Sequence, residues 1–456
     1  MKIVIAGGSG LLGQALTEAL IKAGDKVTIL SRKPDEIDWQ VPGSRVVAWI
    51  SPSNASWEEE IDGSDVVINL AGASIAGDNL LNMRWTQARK EAILSSRHKA
   101  GQALVKAITQ AERKPRTFLQ ASAIGYYGTQ DEKNLTEASP PGQDFLAEVT
   151  RQWEASTVPL DNLSLRRVVL RTGLVLSRRG GLLPTLMVPF HFGAGGPVGS
   201  GRQIMSWIHI EDWVRAVIHL IKDESTQGVY NLTAPEAVGN RHFARALGKA
   251  MRRPALVRTP AWALKALLGE ASTLALDGQH VIPSRLLDSK FTFEYESLES
   301  ALTALFNEPL RFRRAFKVEA TPSVVSDYHR NTAVLRRLTP FPIIVQFQHV
   351  EAVREGSTAR FILWFGPVPV HWHARHYDVQ MSQGFTDDLA AGPFRSWVHQ
   401  HSFLSRPSGG TRVQDEIHAE LGRGLFHGLV SRFMWLTLPI LFAFRAWRTR
   451  RDVDRT

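Results

Sequence analysis

"KIVIAGGSGLLGQALTEALIKAG", residues 2–24, decides the fold. Lys2–Ala6 is an apolar, β-branched run without polar alternation, the pattern of a strand covered on both faces in a parallel sheet. Glycines follow at positions 7, 8, 10 and 13, and leucines and alanines then recur at helical spacing until Gly24 stops them. "DKVTILSR" supplies a second strand. Strand, glycine turn, helix and strand make one βαβ unit.

Outward from this unit the alternation continues. "SRVVAWI" (44–50), "DVVINLAG" (65–72), "RTFLQASAIG" (116–125) and "SLRRVVLRTGLVL" (164–176) read as strands, and a long helix covers residues 83–108. Such alternation predicts an α/β fold, a Rossmann-type doubly wound parallel sheet. From about residue 177 Gly- and Pro-rich loops, then mostly helical stretches to about 305, suit a small substrate-side region. A different character begins near residue 312: one strand, a helix opened by Pro322, six alternating strands and a terminal helix over roughly 424–450. That is an α+β module with its own core. The divisions expected are 1–235, 236–308 and 312–456.

Composition agrees. At 456 residues the chain is long for one core. It has no cysteine, which excludes disulfides, thiolate metal sites and cysteine nucleophiles. The formal charge of +10 gathers in short Arg clusters without a nucleic-acid-binding signature, so solvated basic surface is expected and no nucleic-acid partner. The N-terminus reaches its glycines too soon for a signal peptide, and a cytoplasmic location is expected. The apolar run 433–444, bounded by Arg432 and Arg445 and interrupted by Pro439, falls short of the roughly 20 residues of a spanning helix. It predicts a buried amphipathic helix, no transmembrane segment, and at most weak contact with a membrane surface.

The glycine spacing is chemically specific. Gly7 permits a tight turn, Gly10 lets backbone approach a pyrophosphate, and Gly13 lets the helix pack close to the sheet. The helix start then offers free N–H groups and positive dipole to phosphates. A loop that merely turns is the plain alternative, disfavoured by the strands and helix around it. At the end of the second strand an NAD site wants a carboxylate for the ribose hydroxyls. Ser31, Arg32 and Lys33 stand there instead, and a guanidinium suits a 2′-phosphate, so NADP(H) is the expected cofactor.

"GGSGLLG", "DVVINLAG", "SAIGYYG", "RWTQARKEAILSSR", "GSGRQIMSWIHIEDWVRAV" and "YNLTAPEAV" together resemble the extended short-chain dehydrogenase/reductase superfamily. The branch resembles the "epimerase family" proteins, NAD-dependent epimerase/dehydratase-like, and residues 267–302 resemble the small C-terminal domain of unknown function that marks it. The resemblance spans roughly residues 1–305. It implies a pyrophosphate on Gly7, Gly10 and Leu12, and the adenosine phosphate near Ser31 and Arg32. Leu70, Ala71 and Gly72 would lie beside the ribose, and Thr172 and Gly173 near the nicotinamide. Where the superfamily often has an acidic residue for adenine, this chain has Ile50 and Ser51.

The superfamily works with Ser or Thr, Tyr and Lys, the lysine making the phenol a usable base. Ser122 matches the hydroxyl position, although Ala123 is an alternative alignment. No Tyr-x-x-x-Lys follows: Phe145 and Val149 fall there. Tyr126 or Tyr127 could replace the phenol or merely pack, and Ser122 and Tyr126 are the catalytic candidates. His209, Asp212 and Glu148 are weaker acid–base candidates, and Arg84, Arg89 and Arg97 could bind an acidic substrate or form surface ion pairs. The reaction class expected is hydride transfer or epimerisation on a small carbonyl or hydroxyl substrate; a non-catalytic NADPH sensor or lipid-binding adaptor is the alternative.

"GPFRSWVHQHSFLSRPSGGTRVQDEIHAEL" with its flanking helices resembles the START-like polyketide cyclase/dehydrase superfamily, a helix-grip fold. It implies an apolar ligand in a cavity walled by residues such as Trp364, Phe365, Trp372, Phe403, Phe433 and Trp435. His371 and His373 share one strand face, as do His399 and His401. With no carboxylate clearly placed beside them, no metal is expected.

Overall fold

The run Lys2–Ala6 forms β1, an interior strand of a seven-stranded sheet, with Ile3, Val4, Ile5 and Ala6 fully buried. In this computed structural model residues 1–49, 57–75, 83–380 and 382–454 are described. The other strands are β2 (Lys26–Ser31), β3 (Arg45–Ala48), β4 (Val66–Asn69), β5 (Thr117–Ala123), β6 (Arg166–Thr172) and β7 (Gly228–Leu232). Their order is β7-β6-β5-β4-β1-β2-β3, and every pairing is parallel. The period of two explains why the strands are apolar throughout. Ile3, Ile5, Ile68 and Leu119 face α1 (Leu11–Lys22) and the helix Ile210–Lys222, while Val4, Val67 and Phe118 face α2 (Gln87–Gln110). Connections leave β1 for β2 on one side and return to β4 on the other, which opens a crevice at the carboxyl ends of β1 and β4.

Residues 236–307 are less uniformly helical than the sequence pattern suggests. Short strands at Val238–Gly239 and Gln279–Val281 pair with Ile204–Met205 and Gln130–Leu135. Phe243, Leu247 and Leu302 close a core with Leu183 and Phe190. The expected third strand reached Ile50, which with Ser51 lies outside the described residues.

Contacts divide the chain into two bodies, Met1–Lys33 with Gly43–Asn307, and Pro34–Pro42 with Glu308–Thr456. The second holds an antiparallel sheet of β8 (Leu310–Val318), β9 (Ile343–Val350), β10 (Thr358–Phe365), β11 (Val368–Gln380), β12 (Gly384–Ala391), β13 (Ser396–Ser405) and β14 (Thr411–Glu420). Their order is β8-β14-β13-β12-β11-β10-β9. The segment Pro34–Pro42, expected in the first domain, belongs here: Gln40 and Gln414 exchange two hydrogen bonds of 2.9 and 2.7 Å, and buried Arg412 donates to the carbonyls of Pro34 and Asp35.

The terminal helix, Leu425–Val453, buries Leu438, Phe442, Ala446 and Val453 in the cores of this body. Its other side is not the polar face expected of an amphipathic helix. Leu425, Phe426, Leu429, Phe433, Leu436, Ile440 and Trp447 are exposed. Among the described residues it is the one helix long and apolar enough to cross a membrane by length and composition, which corrects the reading of a run too short to span. A cavity of about 430 Å³ lies within this body. Of the aromatic residues expected to wall it, Phe365, Trp372 and Phe433 do so, and Trp364, Phe403 and Trp435 do not.

The start of α1 lies tight against the glycine turn: a Cβ on Gly13 would stand 2.5 Å from Gly8 Cα and 2.7 Å from the Gly7 carbonyl oxygen. Both are backbone atoms that cannot swing aside. Gly13→Ala is expected to destabilise this body by about 1–3 kcal/mol, the ordinary range for overpacking, read from the denaturant midpoint. An unchanged midpoint would refute the contact.

Candidate nucleotide and active site

Gly7 is held at φ +80, in the left-handed region, and a Cβ there would come within 2.8 Å of the Leu70 carbonyl carbon. It therefore needs glycine for backbone conformation and for space. Gly10 differs. It is the N-cap of α1, with extended backbone and no side-chain cap, and a Cβ there would meet only the Gly7 oxygen, at 3.5 Å. The space above it is open. The ladder of α1 begins with the Gln14 N–H on the Gly10 oxygen, so the amides of Leu11, Leu12 and Gly13 precede it and have no helical acceptor. Gln14 Nε2 also donates to the Ser9 oxygen at 2.8 Å and pins the loop. Open room, first-turn amides and a dipole end fit a pyrophosphate.

At the end of β2 the Ser31 hydroxyl accepts the Lys33 N–H at 3.3 Å. Arg32 is exposed and has no hydrogen bond or ion pair among the described residues. Opposite, the end of β4 is held from behind. Asn69 donates to Gln120 and accepts from the Ala71 N–H, and Ser96 accepts from the Ala73 N–H. Arg97 donates to the carbonyls of Ala73 and Ile93, lies 4.7 Å from the Trp153 ring, and would be 2.9 Å from a Cβ on Gly72. Burial pushes its pKa down to about 10. Arg97 is thus neither a surface ion pair nor a substrate arm: it donates to the Ala73 carbonyl and backs Gly72 beyond the end of β4. Arg84 and Arg89 likewise donate to backbone carbonyls, of Ala266 and Ser74.

At the far end of the crevice the Thr172 hydroxyl accepts the Trp213 indole N–H at 3.1 Å. A Cβ on Gly173 would lie 2.6 Å from the Ser206 oxygen.

The catalytic expectations fare unevenly. Ser122 is 4% exposed and donates to Glu154 Oε1 at 2.6 Å. Glu154, on α3 (Phe145–Ala155), also takes two N–H groups of Arg171, each at 2.9 Å. Arg171 donates to the Tyr127 hydroxyl, which donates to Asn231 Oδ1 at 2.7 Å. Ser122 thus belongs to a buried network, with its hydroxyl engaged by Glu154. The cause is strand parity, since Ser122 shares the Phe118 face of β5 while Ala123 ends the strand without a hydroxyl. Tyr127 is buried in the same network, and burial raises its pKa. Tyr126 is half-buried, its ring 3.3 Å beneath the Arg171 guanidinium, and no described residue bonds its hydroxyl.

The place of the missing Tyr-x-x-x-Lys is packed shut. Phe145 stands 5.1 Å from the Trp85 ring with Lys90 Nζ 4.8 Å away, and Val149 joins Ile93, Leu268 and Ala271 in an apolar cluster. His209 caps the helix Ile210–Lys222 by accepting the Glu211 N–H, and burial pushes its pKa down to about 4. Asp212, read as a cap, instead accepts the N–H groups of Glu294 and Tyr295 at 2.8 and 2.9 Å. Glu148 pairs with Arg151 on the helix surface. Sequence reasoning missed Glu154, Arg171 and Asn231. The signal present was Arg171 itself, a charge directly after the apolar stretch Val168–Leu170 of β6.

Comparisons with known proteins agree with this geometry. Residues 3–233 match the model of the NAD dependent epimerase/dehydratase family, and residues 259–305 match a domain of unknown function, DUF1731. An epimerase family protein of Staphylococcus saprophyticus is 41% identical over 303 residues, 66% of this chain and 98% of that one. The epimerase family protein YfhF of Bacillus subtilis is 38% identical over 306 residues, 67% of this chain and 98% of its own. Among solved structures, human epimerase family protein SDR39U1 with NADPH is 33% identical with a TM-score of 0.60, over 67% of this chain and 99% of that one. A nucleoside-diphosphate sugar epimerase from Corynebacterium glutamicum is 32% identical with a TM-score of 0.53, over 67% and 57%. The glycine turn at the start of α1 and these relatives converge: the chain belongs to the NAD-dependent epimerase/dehydratase family.

Proposed function

We propose that the first body is an NADP(H)-dependent oxidoreductase that reduces a small, moderately apolar carbonyl compound, with Tyr126 as proton donor. The observation that carries the cofactor choice is Arg32, an exposed cation without a described partner at the end of β2, where an NAD site would hold a carboxylate. The human relative solved with NADPH supports it. Bound nicotinamide supplies the hydride; the chain supplies the rest. First-turn amides of α1 bind the diphosphate, Ser31 and Arg32 the ribose phosphate, and Arg171 holds the Tyr126 ring in place. A phenol with no lysine beside it is a poor base at neutral pH but a competent acid. That favours the reductive direction, in which the developing alkoxide must be protonated. The second body, on this reading, is a START-like module that holds an apolar ligand, works in the cytoplasm and touches membrane surfaces weakly through its exposed apolar helix face.

A second reading is favoured by one observation: Phe145 and Val149 fill the usual acid–base position with packed apolar side chains. On that reading the first body is an NADPH sensor without turnover.

Three variants test the proposal. Arg32→Asp should lower the NADPH-over-NADH ratio of kcat/KM by about tenfold to a hundredfold, the range of a charged hydrogen bond; an unchanged ratio would remove the assignment. Across a carbonyl panel, Tyr126→Phe should cut kcat by about 10²–10⁴ while NADPH still binds. Ser122→Ala should leave kcat near wild type and lower the melting temperature instead. NADPH binding with no turnover of any carbonyl would favour the sensor.

A further inference from the structure

The histidine pairs of the second body part company in the structure. On β11, Val370, Trp372 and Ala374 take the inner face, which leaves His371 exposed and His373 pointing the same way. On β13, His399 and His401 face inward, into the 430 Å³ cavity. The carboxylates that no sequence pattern reveals are supplied by register. β12 places Asp387 directly across from His399, and β14 places Asp415 directly across from His401.

The four side chains form a closed arrangement. Asp387 Oδ2 is 3.4 Å from His399 Nδ1 and 3.3 Å from His401 Nε2, and these three donor atoms lie within 4.8 Å of one another. On the far side, Asp415 Oδ1 is 3.1 Å from His399 Nε2 and 2.9 Å from His401 Nδ1. Each imidazole therefore turns one nitrogen to Asp387 and the other to Asp415.

We propose that Asp387, His399 and His401 bind a divalent transition-metal ion, and that Asp415 is the outer carboxylate that fixes both imidazoles. Two imidazoles and one carboxylate on one side of an ion are a donor set suited to Zn²⁺, Fe²⁺ or Co²⁺. Bonds of about 2.0–2.1 Å in a tetrahedral site require donors roughly 3.3–3.4 Å apart, and both Asp387 separations meet that. Metal-bound histidines characteristically give their second ring nitrogen to a carboxylate, and here one carboxylate stands behind both rings. The same four contacts close a ring of ion pairs, with His401 Nδ1 2.9 Å from Asp415 Oδ1, and the test below separates that ring from a metal site. The two buried carboxylates already face both imidazoles, and a cation would join that balance of charge.

Three protein donors leave coordination positions open toward the cavity. Its walls are apolar, from Phe361, Leu363, Trp372, Leu438 and Phe442, while Arg445 faces the same space with its Nε unpaired. The ligand class that fits is a mostly apolar molecule with one oxygen-bearing head, a carboxylate or an enolisable ketone, placed on the metal and beside Arg445. The assignment rests on the second body alone and holds whichever reading of the first body is correct.

The test uses the full-length chain without an affinity tag, stripped with chelator and then dialysed against Co²⁺ alone. One Co²⁺ per chain by elemental analysis, with the visible absorption of a low-symmetry histidine-bound ion, is expected. His399→Ala with His401→Ala should abolish both signals. Asp415→Asn should weaken Co²⁺ binding by about 10–100-fold, as loss of an outer-shell partner does. His371→Ala with His373→Ala should change neither. The proposal is overturned if the intact wild-type chain takes up no Co²⁺, or if uptake survives the His399/His401 change and is lost with His371/His373. The wild-type measurement decides even where a variant fails to fold.

Discussion

The approach of α1 to the sheet governs the first body. Gly7, Gly8 and Gly13 lie so close to one another and to the end of β4 that side chains at Gly7 or Gly13 would collide with backbone. This closeness sets the helix start over the crevice and leaves the space above Gly10 open. The first-turn amides of α1 and the Leu70–Gly72 turn are both positioned by that contact. Arg97 acts in the same sense from the opposite wall, since it donates to the Ala73 carbonyl and backs Gly72.

The chemistry end of the crevice is built by a different logic. The family's acid–base pair is replaced by apolar packing around Phe145 and Val149, while the polar groups nearby are absorbed in the Ser122–Glu154–Arg171–Tyr127–Asn231 network. Such a buried network is costly to leave half-satisfied and rigid when complete. It leaves Tyr126, the ring stacked on Arg171, as the side chain with a hydroxyl still available.

The parallel sheet was legible because β1, β2 and β4 must be apolar on both faces, a pattern no helix or exposed strand produces. The glycine turn before α1 was legible because its glycines answer to local sterics. The strand β12 was likewise readable, its residues 384–391 bounded by turn signals. What stayed hidden depends on partners distant in sequence. Nothing local marks Glu154 as the acceptor of both Ser122 and Arg171, or Asp387 and Asp415 as neighbours of His399 and His401; strand register creates those meetings. The terminal helix was misjudged for a related reason. Its apolar run was counted between Arg432 and Arg445, yet helical geometry carries the apolar character around and past those charges.

The second body is also discontinuous in sequence. Ile37, Trp39 and Val41, from the short stretch Pro34–Pro42, are buried, and Gln40 is bonded to Gln414. The gene therefore cannot be cut at a single point between two complete modules. A fragment that begins at Glu308 would lack the strip that satisfies Gln414 and Arg412, and one that ends at Asn307 would carry three apolar side chains with nowhere to go. A cut after Asn307 therefore separates the second body from a strip of its own core.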